Sequence, residues 1–253
     1  EIRLSLVGSE MCIRDRHNAV LRPIHSLKQA GIIDYTILPE YTLYDDDCDL
    51  KEFVKTNTKL AAITLASNLT GQIVFSSALA EKLKALGLTV FVDASQGAGK
   101  KLLDMQRDCI DVLAFTGHKD LLGLPGVGGL CSVNNLRITP LIQGGTGIYG
   151  DSYVNPEAFP ESYEAGTLNM PAIWALKNAV EYINEHISEM NKTESGLTQY
   201  LVKSMTALPN VIVYNADKPR VSTLAFNVKG KSSSDVVALL DKNGICVRGG
   251  IHC

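Results

Sequence analysis

Three short apolar runs constrain this chain more than anything else in it: Leu60-Ala61-Ala62-Ile63-Thr64-Leu65, Leu88-Thr89-Val90-Phe91-Val92 and Val112-Leu113-Ala114-Phe115. Runs this short, apolar at successive positions, read as strands buried on both faces. A helical span from about Ser76 to Leu86 lies between the first two and ends at Gly87, a residue suited to the left-handed turn that closes a helix. Apolar strands alternating with helices require an α/β fold with a mainly parallel sheet covered by helices. Ligands of such sheets sit at the carboxyl ends of the strands. Asn68, Asp93 and Lys119 each follow one of the three runs, so this reading gathers them at one edge.

The flanking sequence fills out the fold. Val20, Leu21, Ile24 and Leu27 have helical spacing, and Gly31 ends the segment. Tyr35 to Leu38 reads as a strand closed by Pro39. The acidic run Asp45-Asp46-Asp47-Cys48-Asp49 is not a calcium loop, because Leu50 stands where glycine is needed and Thr56 where glutamate is needed. Asp49 reads instead as a helix cap with Glu52 as its reciprocal partner. A literal G-x-G-x-x-G at Gly145, Gly147 and Gly150 leads into Asp151-Ser152-Tyr153-Val154-Asn155-Pro156, which does not start a helix. That rejects a dinucleotide site and leaves a loop.

A long helix is expected from about Pro171 to Met190, with Trp174, Leu176, Val180 and Ile183 on its apolar side, and a second from Glu194 to Ala207. Strands near Val211–Tyr214 and Thr223–Val228, a helix from Ser234 to Lys242 and a short strand at Ile245–Arg248 complete an α+β segment. The expected division is a large domain over 17–190 and a small one over 191–253. Residues 1–16, EIRLSLVGSEMCIRDR, lack a period and look like a translated sequencing-adapter scar, so they are expected to be foreign to the fold. With the abrupt stop at Cys253, they suggest a fragment cut at both ends.

Bulk properties exclude several functions. The 253 residues carry a net charge of -3, so neither nucleic acid nor an acidic membrane surface is indicated as a partner. No apolar run approaches the roughly 18 residues of a membrane span. The six cysteines are scattered without a C-x-x-C pair, which argues against a zinc site or a disulfide framework and for a reducing, cytoplasmic setting.

The third run ends in Thr116-Gly117-His118-Lys119 and enters the glycine-rich stretch Asp120-Leu121-Leu122-Gly123-Leu124-Pro125-Gly126-Val127-Gly128-Gly129-Leu130, expected to be a flexible loop. A lysine after a strand is usually a solvated charge. Its company changes the reading to a Schiff-base lysine for pyridoxal phosphate. That cofactor needs an amine for its aldehyde, an acid for its ring nitrogen, a phosphate cup and a flat partner for the ring. Lys119 supplies the amine, and burial at a strand end would favour its neutral, reactive form. Asp93 can pair with the ring nitrogen and Gln96 can donate to the ring oxygen. Thr116 and His118, one residue apart, can both turn toward a phosphate, and His17 can stack.

Asp93-Ala94-Ser95-Gln96, Thr116-Gly117-His118-Lys119, Gly144-Gly145-Thr146-Gly147 and Glu164-Ala165-Gly166-Thr167 resemble, in order, motifs of the cysteine desulfurases. These belong to the class V aminotransferase group of fold type I pyridoxal-phosphate enzymes. His17-Asn18-Ala19-Val20, Ser67-Asn68-Leu69-Thr70-Gly71 and Val247-Arg248-Gly249-Gly250-Ile251-His252-Cys253 extend the resemblance from His17 to the end. It implies a PLP-transferase-like large domain with an incomplete small domain, and conversion of L-cysteine to L-alanine for iron-sulfur cluster assembly or other sulfur supply.

By residue, the resemblance implies that Lys119 holds the cofactor and moves protons, and that Asp93 holds the ring nitrogen. Gln96 and Asn68 contact the ring oxygen and the substrate side, and His17 stacks. Thr116 and His118 bind phosphate, with Thr167 from the second subunit of a homodimer. Arg248 would pair with the substrate carboxylate, a bidentate task suited to guanidinium. Cys253 would be the nucleophile that becomes a persulfide and passes sulfur to an acceptor protein. No metal is implied. Departures are Arg16 where an acid is usual, Leu65 where a histidine is often found, and Thr116 where serine is commoner. A selenocysteine lyase, another class V lyase or aminotransferase, and an inactive fragment of one remain as alternatives.

Overall fold

The computed structural model of the protein describes residues 5–9, 17–43, 47–133 and 138–250. The first elements are β1 (Ser5–Ser9), α1 (Asn18–Gln29) and β2 (Asp34–Leu38). Strands β1 and β2 pair in parallel as a separate two-stranded sheet. Part of the segment expected to be foreign to the fold therefore pairs with a strand of it. His17 caps α1, and Gly31 takes the positive φ of +69° that turns the chain out of the helix. Asp49 does act as a cap, accepting from the Lys51 amide at 3.0 Å, but the helix is a single 3-10 turn, Leu50–Glu52. Its capping carboxylate therefore serves a shorter element than expected.

The central sheet has the order β3 (Leu60–Thr64), β4 (Thr89–Asp93), β5 (Val112–Thr116), β6 (Gly128–Ser132). The first three strands are parallel, as the apolar runs require. Helix α2 (Ser77–Ala85) lies between β3 and β4 in sequence. Its N-cap Ser76 accepts from the Leu79 amide at 3.2 Å, and Gly87 (φ +78°) follows its end. Leu79, Ala80 and Leu83 form its inward face and pack with Leu65, Val90, Val92 and Ile110 in the main core. Burying a leucine such as the fully enclosed Leu83 contributes about 1.5–3 kcal/mol.

Strand β6 was not expected. The end of the glycine-rich stretch after Lys119 is the return arm of a hairpin, antiparallel to β5, with Thr116 opposite Gly128 and Phe115 opposite Gly129, while residues 120–127 form the expected loop. Its glycines reflect close packing. A Cβ at Gly128 would stand 2.6 Å from the Phe115 carbonyl oxygen, and one at Gly129 would collide with the Phe115 ring.

Helix α3 is continuous from Met170 to Thr206, where two helices were expected. No proline or capping turn interrupts the Asn191-Lys192-Thr193 segment, and the Asn191 side chain donates to the Lys100 carbonyl at 2.7 Å. The expected boundary at 190/191 thus falls inside a helix. Ile183 is buried on it, whereas Trp174 is 64% exposed beside Lys177. Beyond it, β7 (Val211–Val213) pairs antiparallel with β8 (Phe226–Val228), followed by α4 (Ser233–Lys242). Ile245–Arg248 is not a strand, because no described strand pairs with it. No helix of the described residues is long and apolar enough to cross a membrane.

One carboxylate secures the start of α2. Asp108, 5% exposed, accepts from the Ser77 hydroxyl (2.9 Å), the Asp104 amide (2.8 Å) and Arg107 Nε (3.1 Å). The Arg107 guanidinium, aided by those other donors, lowers its pKa from 3.8 to about 2. A folded-state pKa below the unfolded one gives stability that is full above the unfolded value and lost as pH falls through the folded value. Urea unfolding should therefore show Asp108→Ala destabilised by about 1–3 kcal/mol at neutral pH. The gap from the unmutated chain should narrow as pH falls from about 4 toward 2.

Candidate active site

The edge expected to carry the site is formed by register. Thr64 lies opposite Asp93, and Asp93 opposite Ala114, so β3, β4 and β5 end nearly level. The Leu65 amide donates to the Asp93 carbonyl and the Ala94 amide to the Ala114 carbonyl, both at 2.8 Å, carrying the ladder past the strand ends. Three turns leave this edge, bearing Asn68, Asp93 with Gln96, and Lys119.

Each turn is closed locally. Ser67 Oγ accepts from the amides of Leu69 (3.2 Å) and Thr70 (3.1 Å). Gly71 (φ +72°) donates to the Ser67 carbonyl at 3.0 Å, and a side chain there would strike the Thr223 carbonyl oxygen. After β5, the Gly117 amide donates to Val127 (2.8 Å), Gly123 to Gly117 (2.7 Å) and Leu122 to Lys119 (2.9 Å). The lysine follows the end of β5, as expected, and sits in a hydrogen-bonded hairpin tip.

A cavity of about 520 Å³ opens over these turns, and His17, Asn68, Gln96, Lys119 and Arg248 line it together. The residues come from five separate parts of the chain. Its far wall is Thr223–Val228 with Val236 and Val237 of α4. Lys119, Arg248 and Lys231 are cationic, and none of the described lining residues is acidic. Such a wall selects an anionic ligand, a phosphate or a carboxylate.

The remaining expected residues stand around it. Asp93 is 8% exposed at the end of β4. Its Oδ1 accepts from the Ser95 amide at 2.9 Å, while Oδ2 takes no hydrogen bond among the described residues. Thr64, its register neighbour, has a buried Oγ1 without a partner among the described residues. Thr116 Oγ1 and His118 Nδ1 are 3.0 Å apart, next to the lysine but not on the cavity wall. Lys119 is half-buried, and its amine makes no ion pair or hydrogen bond among the described residues. His17 Nδ1 accepts from the Ala19 amide at 3.1 Å. Thr167 is exposed and lies outside its own chain's cavity. Cys253 lies outside the described residues, as does Cys12; the described cysteines Cys48, Cys109, Cys131 and Cys246 are free thiols.

Sequence reasoning missed the far wall, including Lys231, Tyr214 and Asn227, whose Nδ2 donates to the Tyr214 hydroxyl at 2.8 Å. The one available signal was Asn227, a polar residue between the apolar Phe226 and Val228 of a short strand.

Residues 11–253 match the family Aminotransferase class-V. The chain belongs to that family. It is 30% identical over 247 residues to a cysteine desulfurase of Wigglesworthia glossinidia brevipalpis, covering 94% of this chain and 59% of that protein. It is 29% identical over 244 residues to a probable cysteine desulfurase of Methanothermobacter thermautotrophicus, covering 94% and 61%. Among solved structures it resembles the apo cysteine desulfurase of Thermococcus onnurineus NA1 (TM-score 0.80, 26% identity, 100% of this chain and 64% of that one). It also resembles the cysteine desulfurase CsdA (S-sulfonic acid) of Escherichia coli (TM-score 0.81, 27% identity, 98% and 62%). The chain thus spans 59% to 64% of the length of these four proteins.

Class V membership implies pyridoxal phosphate, and the donor set fits that group. Among the described residues there is an unpaired amine at Lys119, a buried acid with an unbonded oxygen at Asp93, a flat ring at His17, and a basic cavity wall without an acid. The expected α/β architecture of that fold type is the one observed.

The closed turn under Asn68 yields a test. Gly71→Ala should cost about 2 kcal/mol or more, because the left-handed backbone and the collision with Thr223 add together. Thermal unfolding would read that loss.

Proposed function

We propose that the protein is a pyridoxal-phosphate-dependent cysteine desulfurase that converts L-cysteine to L-alanine and retains the sulfur as a persulfide on Cys253. The observation that carries this reading is the acid-free cavity holding Lys119 and Arg248, with buried Asp93 beneath the same sheet edge. Bound there, the cofactor would draw electrons from the substrate's α-carbon and so activate the neighbouring carbon–sulfur bond.

The chain's own groups have separable tasks. Arg248 binds the substrate carboxylate, and its fork orients the amino acid. Lys119 would hold the cofactor at its aldehyde carbon and, once released, move a proton to and from the substrate at Nζ. Asp93 would hold the ring nitrogen through Oδ2, which takes no hydrogen bond among the described residues. His17, held by its cap bond to Ala19, would stack on the ring. Asn68 and Gln96 serve the ring oxygen, and Thr116 and His118 the phosphate. The Cys253 thiolate attacks the substrate sulfur: an S–S bond forms, the C–S bond breaks, and carbon keeps the electron pair and takes a proton. Cysteine and thiolate become alanine and persulfide, and no outside oxidant or reductant is needed.

A homodimer is part of this reading. Leu141 (98% exposed), Tyr153 (107%) and Val154 (77%) are apolar side chains left exposed on the segment leading to Thr167. A second copy covering it would carry its own Thr167 toward this chain's phosphate residues. Scattered free thiols support a cytoplasmic setting. A sulfur-acceptor protein would take the persulfide sulfur.

Added pyridoxal phosphate should give a visible absorbance that Lys119→Ala abolishes. Cysteine-dependent alanine and sulfide release should fall to background in Cys253→Ala. Arg248→Ala should raise the KM for cysteine roughly 10- to 100-fold, the loss of a charge-assisted contact. No absorbance with the unmutated chain would overturn the cofactor reading, and alanine formed from selenocysteine but not cysteine would transfer the reading to a selenocysteine lyase.

A further inference from the structure

The residue after the lysine has no part in the scheme above, yet its side chain ties the lysine hairpin to the turn after β4. Asp120 Oδ2 accepts from the Gly97 amide at 3.1 Å, and Oδ1 pairs with Lys100 Nζ at 3.2 Å. Lys100 Nζ also reaches Glu194 Oε2 of α3 at 2.9 Å and the Ser222 hydroxyl. The side chains of Asp120 and Lys100 are only 19% and 18% exposed. Exposed ion pairs are worth little, but this one is largely withdrawn from solvent and shares a backbone amide. Burial pulls the Lys100 pKa down, yet Glu194 and Asp120 outweigh it and hold it above its ordinary value.

The backbones meet as closely as the side chains. Gly97 and Gly99 have φ of +94° and +91°, and a Cβ at Gly99 would stand 2.5 Å from the Asp120 carbonyl oxygen. The turn after β4 therefore nests against the residue that follows Lys119. Gln96 is one peptide bond from Gly97, and Lys119 is one peptide bond from Asp120. On the far side, Ser222 adjoins Thr223 of the cavity wall, and the Asn191 side chain of α3 holds the Lys100 carbonyl at 2.7 Å.

We infer that Asp120 is a positioning residue: through Gly97 and Lys100 it sets Lys119 against the Asp93–Gln96 turn and joins both to α3 and the cavity wall. Its task is geometric, since it stands behind the lysine and off the cavity wall. The role rests on the proposed reading in that the lysine is taken to work on a bound cofactor. Small misplacements of such a group are costly, about 10²-fold in rate for 1 Å.

The experiment compares Asp120→Ala, Asp120→Asn and Lys100→Met in the full chain. Hydrogen exchange without cofactor comes first. Asp120→Ala should speed exchange about tenfold over both residues 95–99 and residues 117–123, with α2 unchanged. Asp120→Asn keeps an acceptor for Gly97 and should loosen 95–99 less than Ala does. With pyridoxal phosphate added, Asp120→Ala should shift the pH midpoint of the bound-cofactor absorbance by about 0.5 unit or more and lower kcat with little change in KM. Lys100→Met should shift it in the same direction by a smaller amount.

Exchange within twofold of the unmutated chain over both segments would overturn the role. So would a uniform loss of protection that includes α2 with an unmoved midpoint, which marks a merely structural ion pair. If Asp120→Ala fails to fold, Asp120→Asn and Lys100→Met decide by the same two readings. Were the unmutated chain to bind no cofactor, the functional reading would fail, and joint loosening of the two segments would still carry the link between the turns.

Discussion

The site depends on three parallel strands ending nearly level. The Thr64–Asp93–Ala114 register and the two amide bonds just beyond it leave three turns side by side, with their side chains facing one space. Backbone geometry performs this alignment, and apolar burial enforces it: Val90 and Val92 are fully enclosed, and a one-residue slip would exchange the faces of the strand. Asp93 is buried at the end of the middle strand, with the Ser95 amide donating to one of its oxygens. The other is left for a ligand.

The parts of the fold legible in the sequence were those written in local chemistry. Apolar runs marked β3, β4 and β5, and Ser76 and Gly87 bracketed α2. Strand β6 was hidden because its glycines resemble a loop; their cause is the Phe115 backbone and ring, a contact that no local pattern announces. The break expected in α3 failed because polar residues at 191–193 read as a connection. In the fold Asn191 instead bonds across to Lys100. Ile245–Arg248 has strand composition but no neighbour to pair with, and composition cannot supply one.

The site was legible to the extent that its chemistry is concentrated in ordered motifs. Lys119, Asn68, Gln96, His17 and Arg248 could be named in advance, and they share one cavity. The opposite wall could not, since Thr223–Val228 reaches the cavity by long-range packing and carries no motif. Asp120 illustrates the same limit at closer range. Its neighbour was singled out, but its own task depends on Gly97 and Lys100, more than twenty residues and about twenty residues earlier in the chain, brought near only by the parallel crossover.

The unbroken course of α3 has a mechanical consequence. It begins at the Asn169 cap, lays Leu176 against the glycines of the lysine hairpin, and delivers the chain to β7. An α-helix bends little without a proline or a bulge. The cavity's far wall and the lysine hairpin are therefore mounted on the two ends of one rod. Swinging the wall as a body would drag the rod, and with it the packing around Leu176. The segment 214–223 is a second mount: the Arg220 guanidinium donates to the Thr70 carbonyl and the Val221 amide to the Gly71 carbonyl, so the wall is held at the Asn68 turn as well as by the rod.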